Sequence, residues 1–138
     1  MKSPNYILRL RYREVLANIA PTYYNQVPNK AFGNYFVING ITSTDNSTKT
    51  SFDIDTTIQI VCHTEDLSTN DGKALEDMAD QALAGLMPTP YKGVVLDNNF
   101  QNGSTSIASD VVQNWTNNQG YSVMERIITF RHRIHQKN

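Results

Sequence analysis

A chain of 138 residues is the usual size for one domain around one hydrophobic core, and is long enough to fold without metal or disulfide staples. Its 12 basic and 13 acidic side chains leave a formal charge of −1, which excludes the global basic excess that nucleic-acid binders carry. Cys62 is the single cysteine, so no internal disulfide forms, and no apolar run approaches the roughly 20 residues of a membrane-spanning helix. Met1 to Leu10 lacks a basic-then-apolar export signal, so synthesis in the cytoplasm is expected. The N-x-S/T sequons at Asn46, Asn102 and Asn114 then read as chance products of an Asn- and Thr-rich sequence.

Ser3-Pro4 is a helix start, with a Ser N-cap and proline at the first helical position. Leu8, Tyr12, Val15, Leu16 and Ile19 fall on one helical face, Arg9, Arg13 and Glu14 on the other, and Pro21 is expected to end the helix. Residues 21 to 34 carry two prolines, a glycine and several Asn, which predicts an irregular connection with at most a short extended piece. Tyr35 to Ile41 is β-branched and aromatic and reads as a strand, followed by a polar turn from Ser43 to Thr50. From Phe52 to Cys62 the pattern alternates. Phe52, Ile54, Ile58, Ile60 and Cys62 share one face with Thr56, while Asp53, Asp55, Thr57 and Gln59 share the other. That is the period of an antiparallel strand with one buried face, so the two strands form a long hairpin.

A second amphipathic helix is predicted from the spacing of Leu75, Met78, Ala79, Ala82, Leu83 and Leu86. Asp71, Glu76 and Asp77 lie towards its positive N-terminal end, and Gly85 and Pro88 mark its close. Val94 to Leu96 reads as a short strand, Asp97 to Ser106 as an Asn/Gly/Ser-rich loop, and Ile107 to Trp115 as an extended segment. Asn117 to Gly120 is a turn, and Tyr121 to His135 is a long final strand with less cleanly divided faces. The expected fold is therefore α+β: one mainly antiparallel sheet packed by two helices, in the order α-β-β-α-β-β. The whole of residues 1–138 is read as a single domain, with no internal repeat.

Chemistry-bearing motifs are missing: there is no P-loop, nucleotide fingerprint, paired-cysteine zinc spacing, HExxH or nucleophile elbow. No catalytic, cofactor-binding or metal-ligating residue is expected, no cofactor, and no enzyme activity. His132 and His135, three apart on a strand, point to opposite faces and are expected to line a solvated strand end among Arg131, Arg133 and Lys137. Cys62 and His63, near Glu65 and Asp66, likewise diverge, so Cys62 should be a buried inert thiol. Asp53 and Asp55 share a face at i, i+2 and are expected on a solvated outer surface or at a polar subunit contact. Arg9 and Arg13 read as a solvated helix face. The cluster Arg126, Arg131, Arg133 and Lys137 is a candidate contact for acidic groups or passing DNA, and Trp115 is expected in the core or an interface.

The pieces "YILRLRYREVLANI", "NYFVING" followed by "FDIDTTIQIVCHTE", "GKALEDMADQALAGLM" and "ERIITFRHRI" together resemble the tail terminator (tail-completion) family of long-tailed bacteriophages. The resemblance covers most of the chain and lies in layout and pattern. It implies a homo-hexameric ring that caps the tail tube, stops its polymerisation and offers a docking surface to the head-tail connector. It implies three partners: further copies of the chain, the tail tube protein and a connector or neck protein. DNA would pass through the lumen without specific binding, no membrane would be involved, and the protein would move from the host cytoplasm into the virion. The segments Ser43 to Thr50 and Asp97 to Ser106 are the loops expected to carry such contacts. Two other readings compete: another phage neck or minor tail protein, and a small α+β ligand-binding or enzymatic domain with a pocket between helix and sheet.

Overall fold

The computed structural model describes residues 4–28, 33–49, 51–66, 72–90, 92–97 and 99–137. In chain order its elements are α1 (Pro4–Ala17), β1 (Thr22–Tyr24), β2 (Tyr35–Asp45), β3 (Asp53–Asp66), α2 (Lys73–Leu86), β4 (Phe100–Thr116) and β5 (Ser122–Gln136). The strands form one sheet in the order β1-β2-β3-β5-β4, antiparallel throughout except for the parallel β1–β2 pair. The expected α+β class holds, with β1 as an additional strand.

Strand parity builds the core. Ile54, Thr56, Ile58, Ile60, Cys62 and Thr64 of β3 face the helices and pair with Ile134, His132, Phe130, Ile128, Arg126 and Met124 of β5. Leu8, Tyr12 and Leu16 of α1, one turn apart, and Leu75, Ala79, Ala82 and Leu86 of α2 close over this face. Each fully buried Leu, Ile or Phe contributes roughly 1.5–3 kcal/mol relative to exposure. Small residues on α2 let the two helices approach. At Gly85 an added Cβ would lie 2.4 Å from Val15 Cγ1, so this glycine sits inside the last helical turn as a contact point and is not the stop signal expected of it.

Several boundaries differ from the sequence expectation. α1 ends at Ala17, ahead of Pro21, because the amides of Ile19 and Ala20 both donate to the Leu16 carbonyl and turn the chain there. The Pro21 carbonyl then accepts from Phe36 N–H (2.8 Å), leading the supposed irregular connection into β1 beside β2. The polar segment from Ser43 is strand up to Asp45, held by the ladder to Thr56, Asp55 and Ile54. Val94–Leu96 alternates like a strand, with Val95 82% exposed, but among the described residues no strand pairs with it. Side chains take its carbonyls instead: Arg11 Nε donates to Leu96 O (2.8 Å) and Asn102 Nδ2 to Val94 O (3.2 Å).

The expected loop Asp97 to Ser106 is the largest correction. An Asp97 carboxylate accepts from the amides of Asn99 and Phe100, and β4 starts at once and runs for 17 residues. Pairing with β5 overrides the weak strand propensity of Asn, Gly and Ser, with register shifts at Asn102/Ser104 and Ile107/Ser109.

Candidate assembly interface

With both helices on one face, no described element covers the other. The register aligns its side chains across the sheet: Tyr23 lies beside Val37, Val37 beside Val61, Val61 beside Ile127, and Ile127 beside Val111. An apolar row thus crosses all five strands from edge to edge. Val37 is buried, Tyr23, Val61 and Ile127 are half-buried, and Val111 at the β4 end is 52% exposed.

The charged groups on this face are largely paired. Arg133 Nη2 meets Asp53 at 3.0 Å and Arg131 Nη2 meets Asp55 at 2.8 Å, so the two aspartates are neutralised from the adjacent strand. His63 lies between two carboxylates, with Nδ1 2.6 Å from Glu125 and Nε2 2.7 Å from Glu65. Carboxylates only accept, so both ring nitrogens donate and the ring is an imidazolium. Burial opposes that charge, but the hydrogen bonds the ring donates to Glu125 and Glu65 outweigh it and raise the His63 pKa above its ordinary value. Tyr35 stacks on the ring at 4.2 Å between centroids, and burial together with Glu125 and Glu65 pushes its hydroxyl up to about 12.

β4 forms one edge of the sheet. Beyond its second register shift it pairs regularly with β5 from Ser109 to Thr116, and here Val111, Val112 and Trp115 are 52%, 54% and 43% exposed. Val111 and Trp115 point to the uncovered face, Val112 to the helix side. Trp115, expected in a core or interface, is thus half-exposed at a sheet edge beside the buried Val123. Within Ser109–Thr116 the one charged side chain, Asp110, is held by Arg126 through paired contacts at 2.9 and 2.6 Å.

His132 corrects another expectation. It is fully buried on the helix side, not at a solvated strand end, and burial lowers its pKa to about 4. One arrangement satisfies its surroundings: the Tyr12 hydroxyl donates to Nε2, Nδ1 donates to Thr105 Oγ1 (2.9 Å), Thr105 to Asn102 Oδ1 (3.3 Å), and Asn102 Nδ2 to Val94 O. His135 faces the opposite side, within 3.5 Å of Asp53. Cys62 is buried with its thiol raised to about 12 by desolvation. The guanidinium groups of Arg9 and Arg13 both lie 5.4 Å from the Tyr24 ring, a use of the helix surface not expected from spacing. The basic cluster does not form one patch: Arg126 is on the helix side, Arg131 and Arg133 on the other face, and Lys137 bonds Asp97 O.

Among the described residues no three His, Cys, Asp or Glu side chains converge to hold a metal ion, and no helix is long and apolar enough to cross a membrane. Sequence reasoning missed the apolar row and the His63 group. Their signal was the mixed character of the last strand, where Val123 and Ile127 interrupt a face that also carries Glu125, Thr129, Arg131 and Arg133.

No protein-family model and no curated protein matches the chain. Among solved structures it is similar to a chain in the virion of the native gene transfer agent particle, with 15% identity over 96% of this chain and 92% of that one, at a TM-score of 0.57. A second solved chain, known by a sequence identifier, matches at 10% identity over 93% and 94% of the two chains, with a TM-score of 0.55. Both likenesses span nearly the full length and establish a shared fold.

Proposed function

We propose that this chain is a non-enzymatic virion structural protein. It closes the head-proximal end of a phage tail tube as a six-membered ring, ends tube polymerisation, and offers a docking surface to the connector. The observation that carries this reading is the full-length structural likeness to a chain of a gene transfer agent virion. The sheet itself supports assembly: it has an uncovered face with an apolar row and a long open edge. Of the expected contact loops, the described residues 46–49, between β2 and β3, and Asp97 and Asn99, ahead of β4, are the sites assigned to tube and connector.

The test is to add the purified protein to growing tail tubes and image them. Tubes of arrested length, capped at one end, are expected. Unchanged growth with no end-bound density sinks the terminator role, and density elsewhere at the neck selects a neighbouring neck protein.

A further inference from the structure

We infer that the Ser109–Thr116 half of β4 is the subunit-joining edge, and that it pairs antiparallel with the Thr42–Asp45 edge of β2 in the next copy. This deepens the ring reading and rests on it. Proteins that stay monomeric protect long edge strands with Lys, Pro or bulges. From Phe100 to Thr116 there is no Lys, Arg or Pro, and both register shifts lie before Ser109. What remains is a regularly paired stretch with Val111, Val112 and Trp115 exposed and its one carboxylate already neutralised.

The occupant is a second copy because the opposite side of the same sheet supplies the matching edge. β1 covers β2 over Phe36–Ile38, a register shift follows between Asn39 and Thr42, and among the described residues no strand covers the outer edge of the regularly paired Thr42–Asp45. That segment is uncharged up to Asp45, so nothing repels the β4 edge. Strand direction also agrees. β2, β3, β5 and β4 alternate, leaving β4 antiparallel to β2. In a ring whose strands run along its axis, the rotation that carries one subunit to the next keeps strand directions, so the new pair is antiparallel. Head-to-tail joining is the heterologous contact that closes rings. It also brings the Val111 end of one apolar row towards the Tyr23 side of the next.

The experiment uses two edge-blocked variants of the full chain, Val111→Lys/Trp115→Lys and Thr42→Lys/Thr44→Lys. All four side chains are exposed, and circular dichroism with thermal melting checks that each variant remains folded. Wild type is expected to sediment as a closed oligomer and each variant as a monomer. An equal mixture of the two variants is expected to form a one-to-one heterodimer through the two intact edges. Amide hydrogen exchange in Ser109–Thr116 should slow in the wild-type oligomer relative to the β4 variant. If both variants keep the wild-type mass, the edge assignment is overturned while the ring reading stands. A β2 variant that still dimerises alone shows β4 pairing with β4 and also overturns it. Wild type that stays monomeric even on tail tubes overturns the ring reading itself.

Discussion

The Tyr12 hydroxyl is hydrogen-bonded to His132 Nε2, tying the first helix to a strand residue 120 positions later, inside the core. His132 is held neutral there because burial lowers its pKa from 6.5 to about 4. Between those values the unfolded chain binds the extra proton, so stability is full above pH 6.5 and falls as pH drops towards 4. The linkage amounts to roughly 3 kcal/mol across that window. Urea unfolding of wild type and His132→Gln at pH 7 and pH 4.5 checks this: the acid-induced loss is expected to shrink in the variant. An equal loss in both proteins places the acid sensitivity elsewhere. Tyr12→Phe leaves a buried ring nitrogen unpaired and is expected to cost about 1–3 kcal/mol at neutral pH.

His63 has the opposite sign. Its raised pKa makes its contribution full below 6.5 and lost as pH rises through the folded value, while the lowered pKa of Glu125 makes its own contribution full above 4.5. The window of greatest benefit is therefore about pH 4.5–6.5. His63→Gln is expected to be destabilised by roughly 1.5–3 kcal/mol within it, the range for hydrogen bonds to charged groups, and by less above it. A penalty that grows with alkalinity contradicts the imidazolium assignment.

Gly85→Ala sets two effects against each other. Alanine favours a helix by about 0.8–1 kcal/mol, but its Cβ would meet Val15 Cγ1 at 2.4 Å, and overpacking costs about 1–3 kcal/mol. The clash wins, so a lower melting temperature is expected. Pairing it with Val15→Ala, which removes the obstructing methyl, should recover part of the loss.

Cys62 is buried on the helix-facing side of β3 with its thiol pushed up to about 12. The thiolate is the reactive form. A thiol reagent at pH 8 is therefore expected to label the native protein far more slowly than the urea-unfolded one. Comparable rates place Cys62 at a solvent-accessible position.

The elements with one clear period were legible from residues alone. The alternation of β3 and the Leu8–Tyr12–Leu16 and Leu75–Ala79–Ala82–Leu86 faces fixed where helices and sheet meet. β1 and the first half of β4 were not, because their pairing comes from neighbours distant in sequence, which local composition does not encode. Val94–Leu96 misled in the other direction, carrying the strand pattern without a strand to join. His132 sits among Arg131 and Arg133 and looks solvated in one dimension. Parity alone turns it inward, and the partners that make burial tolerable, Tyr12 and Thr105, come from other elements. The interface candidate was legible only in part: Trp115 stood out, but its alignment with Val111 needed the register.

The compensated charges of the uncovered face bear on what it does at a distance. Arg131 and Arg133 remain more than half exposed, and exposed pairs of this kind add little stability. Their effect is to turn isolated charges into short dipoles, whose potential decays more steeply with separation than that of a lone ion. Beyond about a Debye length, roughly 8–10 Å at ordinary ionic strength, salt screens what field is left. The paired side chains therefore act by contact and hardly at all from afar.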